Sequence, residues 1–246
     1  MGEPCLKEAN MELRIQGIKK SFGKKQVLRN IDFNFEKGKI YGLLGKNGAG
    51  KTTLFNCLSE DISCDEGSFS VIKDDGMQGV SDEEIAYVLS SPVVPDFLTG
   101  REFLKFYIDI NKEKIKDLKD IDSYFDLVRI DVEDRDKLMR DYSHGMKNKM
   151  QMLIGIISNS SVLLLDEPLT SFDVLVAEEM KELLIKLKEN RIIIFSTHIM
   201  DLAISLCDEI LILHEGVLSP INKTGLTGED LRLKVIELLR GGETND

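Results

Sequence analysis

Eight consecutive residues, Gly45-Lys46-Asn47-Gly48-Ala49-Gly50-Lys51-Thr52, constrain this chain more than any other segment. They follow an apolar run, Ile40-Tyr41-Gly42-Leu43-Leu44, and lead into apolar residues at helical spacing from Thr52 to Leu58. Strand, glycine-rich loop and helix in that order turn backbone N–H groups and the positive end of a helix dipole toward an anion. The pattern G-x-x-x-x-G-K-[ST] adds a lysine, Lys51, that reaches the β- and γ-phosphates of a nucleotide, and a hydroxyl, Thr52, for magnesium. At average residue frequencies its four fixed positions would match by chance in roughly one chain of this length in a hundred. The flanking strand and helix make chance a poorer explanation still.

The rest of the chain supplies the sheet that such a loop needs. Met11, Leu13 and Ile15 alternate, as do Ile31, Phe33 and Phe35, and Phe69 with Val71, so the first third mixes antiparallel strands with the start of an α/β core. From Arg101 to Ile157 apolar residues recur at three and four, among them Phe103, Leu104, Phe106, Tyr107 and Ile110, which predicts a helical insert over about 98–158. Three short apolar runs follow, Val162 to Leu165, Ile192 to Phe195 and Ile210 to Leu213, separated by amphipathic segments at 174–190 and 199–207. Strands alternating with helices predict a parallel sheet. The expected fold is therefore α/β: a P-loop NTPase with a parallel-sheet core, an N-terminal antiparallel β subdomain and an inserted helical subdomain. Residues 1–10 read as a disordered leader, 11–225 as the main domain, and 226–246 as a helix and tail, with Thr227 and Asp230 spaced like a capping box.

In parallel sheets ligands gather beyond the carboxyl ends of the strands, where this chain has Asp166, Glu167 and His198. Asp166 would hold the hydration shell of magnesium and Glu167 would polarise an attacking water. His198, after the next strand, reads as a γ-phosphate contact. Ser143, in Tyr142-Ser143-His144-Gly145-Met146, is a good N-cap for a following helix and could offer a hydroxyl to an anion.

A net charge of −11 opposes non-specific attraction to nucleic acid or anionic lipid. The four cysteines, Cys5, Cys57, Cys64 and Cys207, lack metal-ligand spacing. The longest apolar runs are too short to cross a bilayer, and Met1 to Lys7 do not read as a signal peptide, so the expected location is cytoplasmic.

The ordered set Gly45 to Thr52, Tyr142 to Met146, Val162 to Glu167, Ser171-Phe172-Asp173 and Ser196-Thr197-His198 resembles the nucleotide-binding subunit of ABC transporters, over about Met11 to Gly216. Leu98 to Glu102 and Tyr142 to Lys147 resemble, within that family, the exporter-type subunits that pair with a separate permease. The resemblance implies ATP and Mg2+ as ligands, with Phe22 stacking on adenine and Val27 and Thr53 joining the ATP-binding set. It implies two such domains closing head to tail, as a homodimer or heterodimer, with Ser143, Gly145 and Met146 of one chain reaching the ATP of the other. Ser171 and Asp173 then belong to the loop linking the paired sites. An integral membrane permease becomes the expected partner and the cytoplasmic face of the membrane the expected place; Pro92, Pro95 and Gly100 mark an irregular loop whose Val93, Val94, Phe97 and Leu98 either dock that permease or fill the protein's own core. This chain departs from the family pattern at Ser90, where a magnesium-touching glutamine or glutamate is usual, and in Pro168-Leu169-Thr170-Ser171-Phe172-Asp173. The alternative is a soluble or regulatory ATPase of the same class, not coupled to transport.

Overall fold

The computed structural model describes residues 10–73, 78–79, 84–115, 118–170, 172–223 and 225–240. All but the last residue of the expected leader, and the tail beyond 240, lie outside the described residues. The chain opens with a hairpin, β1 (Met11–Phe22) and β2 (Lys25–Glu36), followed by β3 (Ile40–Leu44) and α1 (Lys51–Leu58). Next come β4 (Glu66–Lys73) and β5 (Gln78–Gly79), which extend the hairpin into an antiparallel sheet of order β2-β1-β4-β5. A second sheet takes β3 and adds β6 (Ile85–Val88), β7 (Val162–Asp166), β8 (Ile192–Thr197), β9 (Glu209–His214) and β10 (Val217–Ile221). Its order is β10-β9-β3-β8-β7-β6, and only the β10 pairing is antiparallel.

Side chains on the central strands divide between two clusters with period two, as strand geometry requires. Tyr41, Leu43, Val162, Leu164, Ile192, Ile194 and Leu211 face the antiparallel sheet and α1. Ile40, Leu44, Leu163, Leu165, Ile193, Phe195 and Ile210 face the helices α5 (Val174–Leu187), α6 (Met200–Leu206) and α7 (Gly228–Arg240). A sheet covered on both faces needs continuous apolar strands, which is why β7 and β8 read as unbroken runs. Each fully buried Leu or Ile here is worth about 2 kcal/mol of hydrophobic transfer, so the strand ends that carry chemistry rest on a rigid base.

Between β6 and β7 stand α2 (Gly100–Asn111), α3 (Ile121–Leu127) and α4 (His144–Ile157) with a cluster of their own. A capping box between Thr99 and Glu102 starts α2. The helical period is as expected, but the buried stripe is Leu104 and Ile108, supported by Phe103 and Tyr107. Phe106 and Ile110, counted in the apolar pattern, are 57% and 63% exposed. Arg135, 5% exposed, is kept charged in this cluster by acceptors on every side. Its guanidinium donates to Ile130 O (3.0 Å), to Asp122 (2.9 Å) and to Asp126, over the Phe125 ring. Close approach ties the helices to the sheet: a Cβ on Gly155 would fall 2.8 Å from Val88 Cγ2. Buried Arg191, just before β8, donates to Ile156 O (2.7 Å) and Gly155 O (3.3 Å), meeting carbonyls that α4 leaves free at its end.

Candidate nucleotide site

The strand order brings the ends of β3, β8 and β7 side by side, with Leu44 opposite Thr197 and Asp166 opposite Ser196. Beyond them opens a cavity of about 480 Å³. Phe22, Lys25 and Val27 from the β1–β2 hairpin line one side, Asn47, Gly48, Gly50, Lys51, Thr52 and Thr53 the floor, and Ser90, Asp166 and Glu167 the far end. Gly50, at φ +108°, is the N-cap position of α1, which has no side-chain cap, so the first N–H groups of the helix are left for a ligand. Lys51 Nζ donates to Gly45 O at 2.8 Å, and Ala49 N to Lys46 O at 3.0 Å. Gly45, Lys46 and Ala49 thus shape the loop without lining the cavity. Burial pulls the Lys51 pKa down, opposed by the charges of Glu167 and Asp166.

Asp166, 3% exposed, is held by three hydroxyls. Thr52 Oγ1 donates to Oδ2 at 2.8 Å, Tyr87 OH to the same oxygen at 3.4 Å, and Ser196 Oγ to Oδ1. Burial, then the Asp166 charge, drives the Tyr87 phenol above its ordinary pKa, so it stays a donor across the physiological range. Its ring packs edge-on against Phe55 of α1, centroids 5.8 Å apart. Glu167 turns into the left-handed region, φ +49°, and its N–H donates to Ser196 O (3.2 Å) and Ser196 Oγ (3.1 Å). A non-glycine residue held there is strained by roughly 1–3 kcal/mol, the kind of cost a sheet edge sustains where a side chain must be aimed. His198 does not line the cavity; its Nδ1 lies 2.8 Å from Glu167 Oε2. A ring that donates there through Nδ1 has a second nitrogen that accepts when neutral and donates only when protonated.

The oxygen donors suit a hard cation. No group of three or more His, Cys, Asp and Glu among the described residues could hold a metal alone. A hydroxyl (Thr52) and one carboxylate (Asp166) are what magnesium takes from protein when phosphate oxygens and water complete its shell.

The structure does not bring every expected site residue here. Ser143 is exposed at the N-cap of α4, accepting from Met146 N at 3.2 Å, with Gly145 and Met146 in the first turn. Asp173 caps α5, accepting from Val176 N at 3.0 Å, and is followed by Val174 and Leu175, 88% and 70% exposed. Ser171 lies outside the described residues. Neither Ser143 nor Asp173 lines the cavity.

A family model, described as ABC transporter, matches residues 28–170. The chain belongs to the ABC transporter family. As a member it carries the ATP-binding, ATP-hydrolysing domain of that family. An uncharacterised ABC transporter ATP-binding protein of Methanocaldococcus jannaschii is 32% identical over 207 residues, 83% of this chain and 75% of that protein. A lantibiotic transport ATP-binding protein of Streptococcus pyogenes is 29% identical over 83% of this chain and 87% of its own length. A ribose import ATP-binding protein of Caldanaerobacter subterraneus is 27% identical over 95% of this chain and 48% of its own. Among solved structures, a dimeric ATP-binding cassette in a post-hydrolysis state with ADP and Pi superposes with a TM-score of 0.73 at 18% identity, covering 87% of this chain and all of that one, a likeness of fold.

Within this ABC domain the motif reading misses one residue that lines the cavity, Lys25, and the roles of two that hold Asp166, Tyr87 and Ser196. Lys25 opens β2 directly after a polar hairpin turn, where lysine is ordinary. Tyr87 had a signal, strand alternation that puts it on the same face as Ile85, but its partner comes from a distant strand. Ser196 reads only as part of the Ser196-Thr197-His198 motif; its bonds to Asp166 and Glu167 exist only across the β7–β8 pairing.

Proposed function

We propose that this chain is the ATP-hydrolysing subunit of an exporter, working as a head-to-tail pair on a separate membrane permease. The observation that carries the reading is the separation of the two halves of the site. The cavity is lined by the phosphate loop, Asp166 and Glu167, and the Ser143 hydroxyl, in the motif that resembles the family's γ-phosphate cap, is exposed and does not line it. A second copy, or a related subunit, would bring one to the other.

In this mechanism Phe22 and Val27 hold the adenine side, and the backbone of Asn47 to Gly50 with Lys51 and Thr53 holds the phosphates. Thr52, Asp166 and, through a water, Ser90 would hold magnesium, which neutralises charge developing on the transferred phosphoryl group. Glu167 takes the proton of the attacking water. His198, bonded to Glu167 Oε2, orients that carboxylate and, when its other nitrogen is protonated, donates to the γ-phosphate. Asp173, with Ser171, links the two sites of the pair.

Among the described residues no helix is long and apolar enough to cross a membrane, and this reading assigns the membrane step to another polypeptide at the cytoplasmic face. The loop after β6 supports docking with a division of labour. Val94 and Leu98 pack on the helical cluster, whereas Val93 and Phe97 are 73% and 79% exposed. Export is favoured by the resemblance of Leu98 to Glu102 and Tyr142 to Lys147 to exporter-type subunits. Phe97→Asp tests the coupling: the subunit should fold and hydrolyse ATP but no longer co-purify with a permease from detergent extracts. A Phe97→Asp protein that still co-purifies and drives the permease overturns this docking surface. Co-purification of no membrane protein with the unmodified chain would favour a soluble or regulatory ATPase.

A further inference from the structure

Away from the nucleotide cavity, two sulfurs meet where α1 ends. Cys57, in the last turn of α1, is 1% exposed within the core cluster. Cys64, half-buried on the approach to β4, packs against the same cluster. Both line one cavity of about 570 Å³, together with Ile62, Gly67 and Phe69. The Cys64 thiol is a hydrogen-bonding and electrostatic neighbour of the Cys57 thiol, and burial first, then Cys64, pushes Cys57 up to about 12. The Lys20 ammonium is fixed alongside, donating to Ser63 O at 2.6 Å and to Asp65 Oδ1 at 3.1 Å. Cys207, the remaining described cysteine, packs on the opposite side of the parallel sheet, against Gly42. The segment between Cys57 and Cys64 turns back on itself, with Glu60 at φ +61° and Ile62 N donating to Asn56 O at 3.1 Å.

We propose that Cys57 and Cys64 form a thiol–disulfide modification site, oxidised to an intramolecular disulfide by a low-molecular-weight disulfide. The two cysteines divide the work. Cys64, the accessible member, attacks as thiolate; its sulfur bonds to one sulfur of the reagent, the reagent's S–S bond breaks, and one thiolate leaves and takes up a proton. Cys57, buried and slow to ionise, is protected from the reagent and acts second. It loses its proton to solvent, and its sulfur bonds to that of Cys64 and expels the second thiolate. Two protein thiols thereby lose two electrons and two protons, which end on two molecules of reagent thiol. In reducing surroundings the pair is the dithiol, and the disulfide forms under oxidant load. The cross-link would tie the C-terminal end of α1, whose first residues are Lys51 and Thr52, to the segment entering β4.

The full chain, equilibrated with oxidised glutathione and alkylated, is the test, with peptide mapping by mass spectrometry as the readout. The expected product joins the peptides of Cys57 and Cys64, is lighter than the dithiol by two hydrogens, and reverts with dithiothreitol. Cys64→Ser, a change at a half-buried position, should abolish the cross-link and leave Cys57 unreacted. Cys57→Ala should trap the glutathione adduct on Cys64, with circular dichroism to verify that both variants are folded. A glutathione adduct that persists on Cys64 in the unmodified chain overturns the proposal, as does a Cys64 that stays reduced or that links to Cys5 or to a second chain.

Discussion

The nucleotide cavity and the N-terminus of α4 are both built at helix starts, yet the chain treats them differently. At the cavity, Gly50 caps nothing, Lys51 is buried, and Thr52, Tyr87 and Ser196 converge on one carboxylate. At α4 the Ser143 hydroxyl is used by its own helix and faces solvent. The first region carries buried polar groups satisfied within the chain, a cost borne only where geometry must be exact to a fraction of an ångström. The second is built cheaply, as an ordinary cap, and any further role depends on what is brought to it. The first site is made by folding; under the proposed head-to-tail pairing the second is made by assembly.

Glu167→Gln should have the largest effect. If the cavity is the complete chemical site, replacing the base lowers ATP turnover by roughly a hundredfold or more while nucleotide binding persists. Unchanged turnover would remove Glu167 from the base role and break the first half of the comparison. Ser143→Asp attacks the second half. Aspartate caps helices as well as serine does, so stability should hold, but its charge would repel a γ-phosphate, and hydrolysis should fall by about tenfold or more with binding to the isolated chain unaltered. Full activity of a folded Ser143→Asp protein would mean that the residue is only a cap. Tyr87→Phe is subtler. Losing a 3.4 Å hydrogen bond that competes with Thr52 for Oδ2 should raise the magnesium concentration for half-maximal hydrolysis about two- to fivefold, with maximal rate little changed. A fall in maximal rate at saturating magnesium would contradict a positioning role. Ser90→Gln should have the smallest effect, leaving the basal rate unchanged or raising it; a severe loss would show that serine itself is required.

Motif order makes the cavity legible in the sequence. A phosphate loop, an apolar strand ending in Asp-Glu, and a histidine after the next strand are local patterns, and a parallel sheet aligns strand ends by geometry alone. Periodicity also located α2 but did not single out its buried face: Phe106 and Ile110 fit the helical spacing as Leu104 does, and packing buries Leu104 and Ile108 and leaves Phe106 and Ile110 exposed. In the same way Val93 to Leu98 read as one apolar surface, and packing divides it into Val94 and Leu98 inside and Val93 and Phe97 outside.

By itself the sequence determined the fold class, the phosphate loop and the residue types that can bind and cleave a nucleotide, because glycine spacing, apolar runs and capping residues act over a few neighbours. Only the tertiary structure decided that Ser196 and Tyr87 hold Asp166, that Glu167 stands at φ +49°, that His198 reaches Glu167, and that Cys57 meets Cys64. The first three depend on strand order, in which β7 lies between β6 and β8. The cysteine contact depends on how the chain turns back after α1. These are settled by the summed burial of three apolar clusters, a quantity spread over the whole chain that no window of residues contains.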